Sequence, residues 1–176
     1  MFDKLLDFII QMWEKLTFFT IVKQYQQGAW LRVGKLRKIV GPGLYFKIPL
    51  LDEIDCYHVL TTAMTLDAQS VTTKDEKEVV AKGIIKYKIA DLSKQFTDVY
   101  DAVDAISDVS MGIIKNIISK KTWEECKEEG LDNEITKKVR TEAKKWGIEV
   151  EAVTLSDLSR MRSFRFLTFQ NKPNND

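Results

Sequence analysis

The chain has 176 residues, 44% of them hydrophobic and 30% charged, enough apolar material for one folded domain and too much for a disordered chain. With 27 basic against 26 acidic residues the net charge is +1, which argues against nucleic acid as a partner held by bulk charge. Two cysteines exclude a disulfide scaffold, and a single histidine leaves little for His-based catalysis or a zinc centre.

The apolar residues are unevenly placed. On a helical wheel of about 100° per residue, Phe2, Leu5, Leu6, Ile9, Met12, Trp13 and Leu16 share one face, flanked by Phe8, Ile10 and Phe19. Asp3, Lys4, Asp7, Gln11, Glu14 and Lys15 fall on the opposite arc. The pattern predicts an amphipathic helix over residues 1–19, apolar around more than half its circumference. Asp3 and Asp7 spoil the basic start of a signal peptide. A perpendicular span needs about 20 mostly uncharged residues, and charges interrupt this stretch. A helix lying in the plane of a membrane fits the wheel, as does a helix packed on the protein's own core. No acidic residue lies between Glu14 and Asp52, whereas Lys15, Lys23, Arg32, Lys35, Arg37, Lys38 and Lys47 do. That basic tract suits an anionic leaflet, and equally suits solvated strand faces balanced elsewhere.

The next part reads as β-structure. Thr20–Gln24 and Ala29–Val33 are expected as strands around a turn at Gln27-Gly28, and Lys35–Val40 follows past Gly34. Gly41-Pro42-Gly43 signals a turn, and Pro49 excludes the apolar run Leu44–Leu51 from the centre of a sheet. Ile54–Leu66 alternates, with a break near Thr61-Thr62. Ser70–Thr73 and Glu78–Ala90 form a hairpin around Lys74-Asp75-Glu76. In its long arm Val79, Ala81, Gly83, Ile85, Tyr87 and Ile89 share one face, a period of two.

Helices follow. Asp91 is placed to cap a short helix through Gln95, and Val99–Ser119 carries apolar residues at helical spacing. Thr122-Trp123-Glu124-Glu125 has the form of a capping box, predicting a helix to about Gly130. Asp132–Trp146 forms another, stopped by Gly147. Ile148–Leu155 alternates as a strand, with Ser156 or Asp157 opening a last short helix. Strands first, helices next and one returning strand predict an α+β fold, an antiparallel or mixed sheet packed with helices.

The run Gln24-Tyr25, Gly28, Leu31-Arg32-Val33-Gly34-Lys35 and Gly41-Pro42-Gly43-Leu44-Tyr45-Phe46-Lys47-Ile48-Pro49 resembles the stomatin/prohibitin/flotillin (SPFH, band-seven) family. Thr65–Gln69 followed by Val71–Asp75 is similar to the hairpin entry of that family, Val79–Ile89 to its long arm, and Gly147–Val150 with Val153–Leu158 to its closing segment. The resemblance spans about Thr20 to Leu158, giving an N-terminal membrane-associated helix (1–19), an SPFH-like domain (20–158) and a short tail (159–176).

This resemblance implies a membrane-associated, homo-oligomeric scaffold on the cytoplasmic face, without catalytic residues, cofactor or metal. Anionic lipid, further copies of the chain (a ring among the forms expected), and a membrane protease or other membrane protein are the implied partners. Gly41, Pro42 and Gly43 would form the tight turn, with Pro49 closing the motif. Leu44, Tyr45, Phe46 and Ile48 would form an apolar tip in the same leaflet as Phe2, Leu5, Leu6, Ile9, Trp13, Leu16 and Phe19. Asp75 would sit in the hairpin turn. Relatives continue into a long coiled coil; no heptads follow Leu158 here, so a short member without it is expected. The alternative is a soluble adaptor that binds a membrane protease or other protein through its N-terminal helix, since helix-in-groove docking uses the same spacing.

Enzyme signatures are weak. Cys56 and His58 share a strand face but lack further zinc ligands, and are better read as a buried cysteine and a surface histidine. The glycines form neither a dinucleotide fingerprint nor a P-loop.

Overall fold

The computed structural model describes residues 18–97 and 101–161. Of the helix expected over residues 1–19, residues 1–17, with Phe2, Leu5, Leu6, Ile9, Trp13 and Leu16, lie outside the described residues, as does the tail beyond Met161. Strands β1 (Phe19–Val22), β2 (Gln26–Arg32), β3 (Lys35–Val40), β4 (Gly43–Phe46), β5 (Asp52–His58), β6 (Thr62–Thr65), β7 (Gln69–Thr72) and β8 (Glu78–Ile89) come first. Helices α1 (Leu92–Thr97), α2 (Ala102–Ile118) and α3 (Leu131–Ala143) follow, and β9 (Ile148–Arg160) returns. The fold is α+β, and every strand pair is antiparallel.

The strands form three sheets. β1 and β4 make a two-stranded ribbon, β3-β2-β5 a three-stranded sheet, and β8 pairs β6 and β7 along one side and β9 along the other. The period-two reading of β8 holds: Val79, Ala81, Ile85 and Tyr87 are buried on one face. They pack with Val150 and Val153 of β9 against Ile106, Ile114, Ile117 and Ile118 of α2 and Ile135 and Val139 of α3. A smaller core of Val22, Val40 and Ile54, with Trp30, Tyr45 and Cys56 against it, joins the ribbon to the three-stranded sheet.

Local chemistry explains most element ends. Asp91 Oδ1 accepts from the Ser93 amide at the start of α1, and Asp101 Oδ1 caps α2 through the amides of Val103 and Asp104. Gly147 takes φ 73° after α3, where an added Cβ would strike the Asp91 carbonyl. Asp75 ties the β7–β8 turn to the connection after α2: it accepts from Thr73 Oγ1 at 2.6 Å and from the Trp123 amide at 3.0 Å, and pairs with Lys77.

Four expectations are corrected. The first turn lies at Lys23–Tyr25, and Gly28 sits inside β2. A Cβ there would come within 2.8 Å of Val40 Cγ2 and 2.9 Å of Ile54 Cγ2, so this glycine leaves room for the side chains of the small core. Phe19 belongs to β1 and not to a helix, because its pairing with Phe46 fixes an extended backbone. The Thr122 capping box forms reciprocally, Thr122 N to Glu125 Oε2 at 2.7 Å and Glu125 N to Thr122 Oγ1 at 3.4 Å, yet it starts only the 3-10 turn Glu125–Lys127. Only Cys126 is buried there, too little apolar surface to hold a longer helix. Finally, no helix opens at Ser156: β9 bulges there and continues against β8 to Arg160.

Candidate functional site

Among the described residues most exposed large apolar side chains belong to the β1–β4 ribbon and the turns beside it, with Tyr25, Leu60 and Met161 exposed elsewhere. In the β1–β4 ribbon Phe19 opposes Phe46 and Ile21 opposes Leu44, while Thr20 opposes Tyr45 and Val22 opposes Gly43. Directly opposed residues of an antiparallel pair share a face, so the ribbon has two unlike faces. The inner face turns Val22 and Tyr45 to the small core, with Tyr45 edge-on to Trp30 and its hydroxyl donating to the Gly41 carbonyl at 3.0 Å. The outer face carries Phe19, Ile21, Leu44 and Phe46, which are 60%, 68%, 65% and 57% exposed. Phe18 stacks on Phe46 with ring centroids 6.1 Å apart, and Phe19 meets Phe46 edge-on at 5.4 Å.

The patch continues through the loop after β4. Ile48, Leu50 and Leu51 are exposed there, and Val33 is exposed at the neighbouring β2–β3 turn. Arg32 anchors this end. Its Nε donates to Asp52 Oδ1 at 2.6 Å and its Nη2 to Oδ2 at 3.0 Å. The guanidinium, helped by the Ile48 amide at 3.1 Å, holds the Asp52 carboxyl well below the usual carboxylate range. Lys35, Arg37 and Lys38 are exposed nearby on β3, with Lys38 Nζ 4.7 Å above the Trp30 ring. An exposed apolar face in a segment that also carries exposed cations is physically matched to an apolar phase with an anionic boundary.

Of the residues expected at an apolar tip, the structure brings Leu44, Phe46 and Ile48 together, joined by Phe19 of the expected helix, and turns Tyr45 away from them. Gly41 and Pro42 form the turn into β4, Gly43 opens that strand, and Pro49 lies in the loop after it. Ile21, Val33, Leu50 and Leu51 were not singled out by the sequence. Ile21 was legible as the second outward position of a strand through Phe19; the other three sit at turns, where apolar residues carry no periodic signal. Among the described residues no group of three or more His, Cys, Asp or Glu could hold a metal, and no helix is long and apolar enough to cross a membrane.

A family model described as SPFH domain / Band 7 family matches residues 20–163. The chain belongs to this family. An uncharacterized protein of Archaeoglobus fulgidus is 30% identical over 147 residues, covering 82% of this chain and 59% of that protein. A stomatin homologue of Pyrococcus horikoshii is 26% identical over 140 residues (78% of this chain, 53% of that protein), and mouse stomatin is 23% identical over 142 residues (78% and 50%). The chain thus spans only half to three-fifths of the length of these relatives. As an SPFH domain, its ribbon and 47–51 loop are formed by the segment from β1 to β5, next to the residues that precede Phe18.

Proposed function

We propose that this SPFH domain is a membrane-associated scaffold that assembles in several copies on the cytoplasmic face and organises lipid or membrane-protein partners without catalysing a reaction. The single observation that carries this reading is the outer face of the β1–β4 ribbon, where Phe19, Phe46, Ile21 and Leu44 stand in register and exposed. Soluble monomers rarely leave such a contiguous apolar face in water. Burying each side chain in an acyl phase gains up to about 1.5–3 kcal/mol, and several acting together suffice for stable attachment. The basic tract from Lys15 to Lys47 adds attraction to anionic headgroups at about 1 kcal/mol per charge near the surface. The amphipathic sequence pattern over residues 1–19 supports the same reading. Membership of a family that includes stomatin supports the same role.

The test is flotation of the full chain with anionic vesicles, followed by light scattering of the detergent-extracted protein. Flotation together with particles of several copies is expected. A monomer that stays at the bottom of the gradient would overturn the scaffold reading and favour a soluble adaptor.

A further inference from the structure

Two turns beside the ribbon put a bulky apolar residue where turn geometry favours glycine or asparagine. Val33 and Gly34 form the two-residue β2–β3 connection with φ 51° and 71°, the pattern of a type I′ turn. In Ile48-Pro49-Leu50-Leu51 the Leu51 amide donates to the Ile48 carbonyl at 3.3 Å and Leu50 has φ 71°, the pattern of a type II turn with proline second. A β-branched or bulky residue at positive φ is strained. Burial does not compensate either one, since Val33 is 74% and Leu50 91% exposed.

The two turns form one unit. The Val33 amide donates to the Leu51 carbonyl at 2.8 Å. Beneath them Arg32, the residue before the first turn, holds Asp52, the residue after the second, through two charge-assisted bonds. The Asp52 side chain is 1% exposed, and its Oδ2 also accepts from the Ile48 amide, while its own amide donates to the Ile48 carbonyl at 2.8 Å. One buried carboxylate therefore fixes both ends of the Pro49-Leu50 turn to the end of β2.

We propose that Arg32 and Asp52 are positioning residues that hold Val33 and Leu50 as one preformed apolar tip, and that this tip enters the acyl region of an anionic lipid surface beside the ribbon face. The inference rests on the membrane reading above and extends the ribbon patch to the two turns beside it. Contact along the extended patch restricts the tilt of the domain on the surface. The shape selects lipid over a protein helix: both side chains stand at convex turn apices, whereas an amphipathic helix docks in a groove. The flanking charges agree, with Lys35 directly after the first turn and Lys47 directly before the second. Strain kept at an exposed site, against local turn preference, is expected where a side chain is needed for contact.

The test measures partition of the full chain onto phosphatidylcholine vesicles containing phosphatidylglycerol, beside thermal melting of the same samples. In the Val33→Asn/Leu50→Asn double variant the side chains suit positive φ, so melting temperature should rise while partition falls at least about tenfold. A purely structural role would not move these two readouts in opposite directions. Partition equal to wild type in this variant overturns the proposal, and so excludes lipid as the occupant of the tip. Asp52→Asn keeps the size of the side chain and should also lower partition, with Val33 and Leu50 present; wild-type partition in a folded Asp52→Asn chain overturns the positioning role. Failure of the underlying reading looks different: there the wild type does not bind, or Ile21→Glu/Leu44→Glu binds as well as wild type.

Discussion

Thr136 and Val153 exchange two hydrogen bonds as if the helix were a strand. The Thr136 hydroxyl donates to the Val153 carbonyl at 3.2 Å and accepts from the Val153 amide at 2.9 Å. One turn to either side, Asp132 Oδ1 accepts from the Leu155 amide at 3.2 Å, and Arg140 donates to the carbonyls of Val150 at 2.9 Å and Glu151 at 2.8 Å. The spacing Asp132, Thr136, Arg140 is one residue per helical turn. A polar stripe on α3 thus covers the outer edge of β9, which would otherwise present open backbone groups to another chain.

Thr136→Val should therefore destabilise the domain although it keeps the shape of the side chain. It leaves the Val153 amide without its partner, at a cost of about 1–3 kcal/mol. Thermal melting would show the loss. Hydrogen exchange would place it, with the Val153 amide losing protection ahead of the β8 amides.

Gly28→Ala should act through crowding. The new methyl meets Val40, Ile54 and Val22 at 2.8, 2.9 and 3.1 Å, all side chains of the small core. Overpacking of this kind costs about 1–3 kcal/mol, or roughly 2–10 °C in Tm for a chain of this size. The main core under β8 does not touch this site, so the secondary structure at room temperature should be unchanged by circular dichroism.

Acid should weaken the fold, most of all through two carboxylates. The Arg32 guanidinium holds Asp52, and Lys77 with Thr73 holds Asp75, both well below the usual carboxylate range. A carboxylate whose folded pKa is depressed contributes its full stability above the unfolded value of about 3.9, and loses it as pH falls towards the folded value. Melting temperature should thus be level at neutral pH and fall steadily below about pH 4. In Asp75→Asn the slope of that fall should be shallower, since one of the carboxylates held low no longer titrates. An unchanged slope would contradict the account of Asp75.

The two cysteines should differ in reactivity. Cys126 is buried and its thiol is pushed up by burial, whereas Cys56 is half-buried at the edge of the small core. A disulfide exchange reagent should modify Cys126 of the native chain far more slowly than that of the denatured chain. Rapid native labelling of Cys126 would contradict its place beneath the Trp123 turn.

The sequence revealed those elements in which a local signal and the tertiary structure agree. β8 alternates without interruption, and Gly147, at positive φ, ends the helical run that continues past α3 as the 3-10 turn Lys144–Trp146. Three positions misled because one signal has two physical sources. Gly28 has the composition of a turn, but it is glycine because three side chains of other strands approach it, and no window of sequence contains them. Phe19 fits a helical wheel and a strand alternation equally, and only pairing with Phe46 decides. Ser156-Asp157 has the look of a helix cap, yet β8 is long enough to carry β9 past it to Arg160. The candidate site was half legible: Leu44, Phe46 and Ile48 stood in an apolar run, while Tyr45, in the same run, faces inward because a strand alternates. Val33 and Leu50 were hidden, because turn composition predicts glycine or asparagine there and not an apolar contact.

If the outer face of the β1–β4 ribbon attaches this SPFH domain to a membrane, charges placed on that face must release it, which flotation with vesicles reads. Ile21→Glu/Leu44→Glu changes only exposed positions and leaves Val22, Tyr45 and the small core in place, so the variant should melt within a few degrees of wild type. On anionic vesicles its bound fraction should fall by about 100-fold relative to wild type, from two lost apolar contacts and two added negative charges. A folded variant that floats as well as wild type would contradict the account.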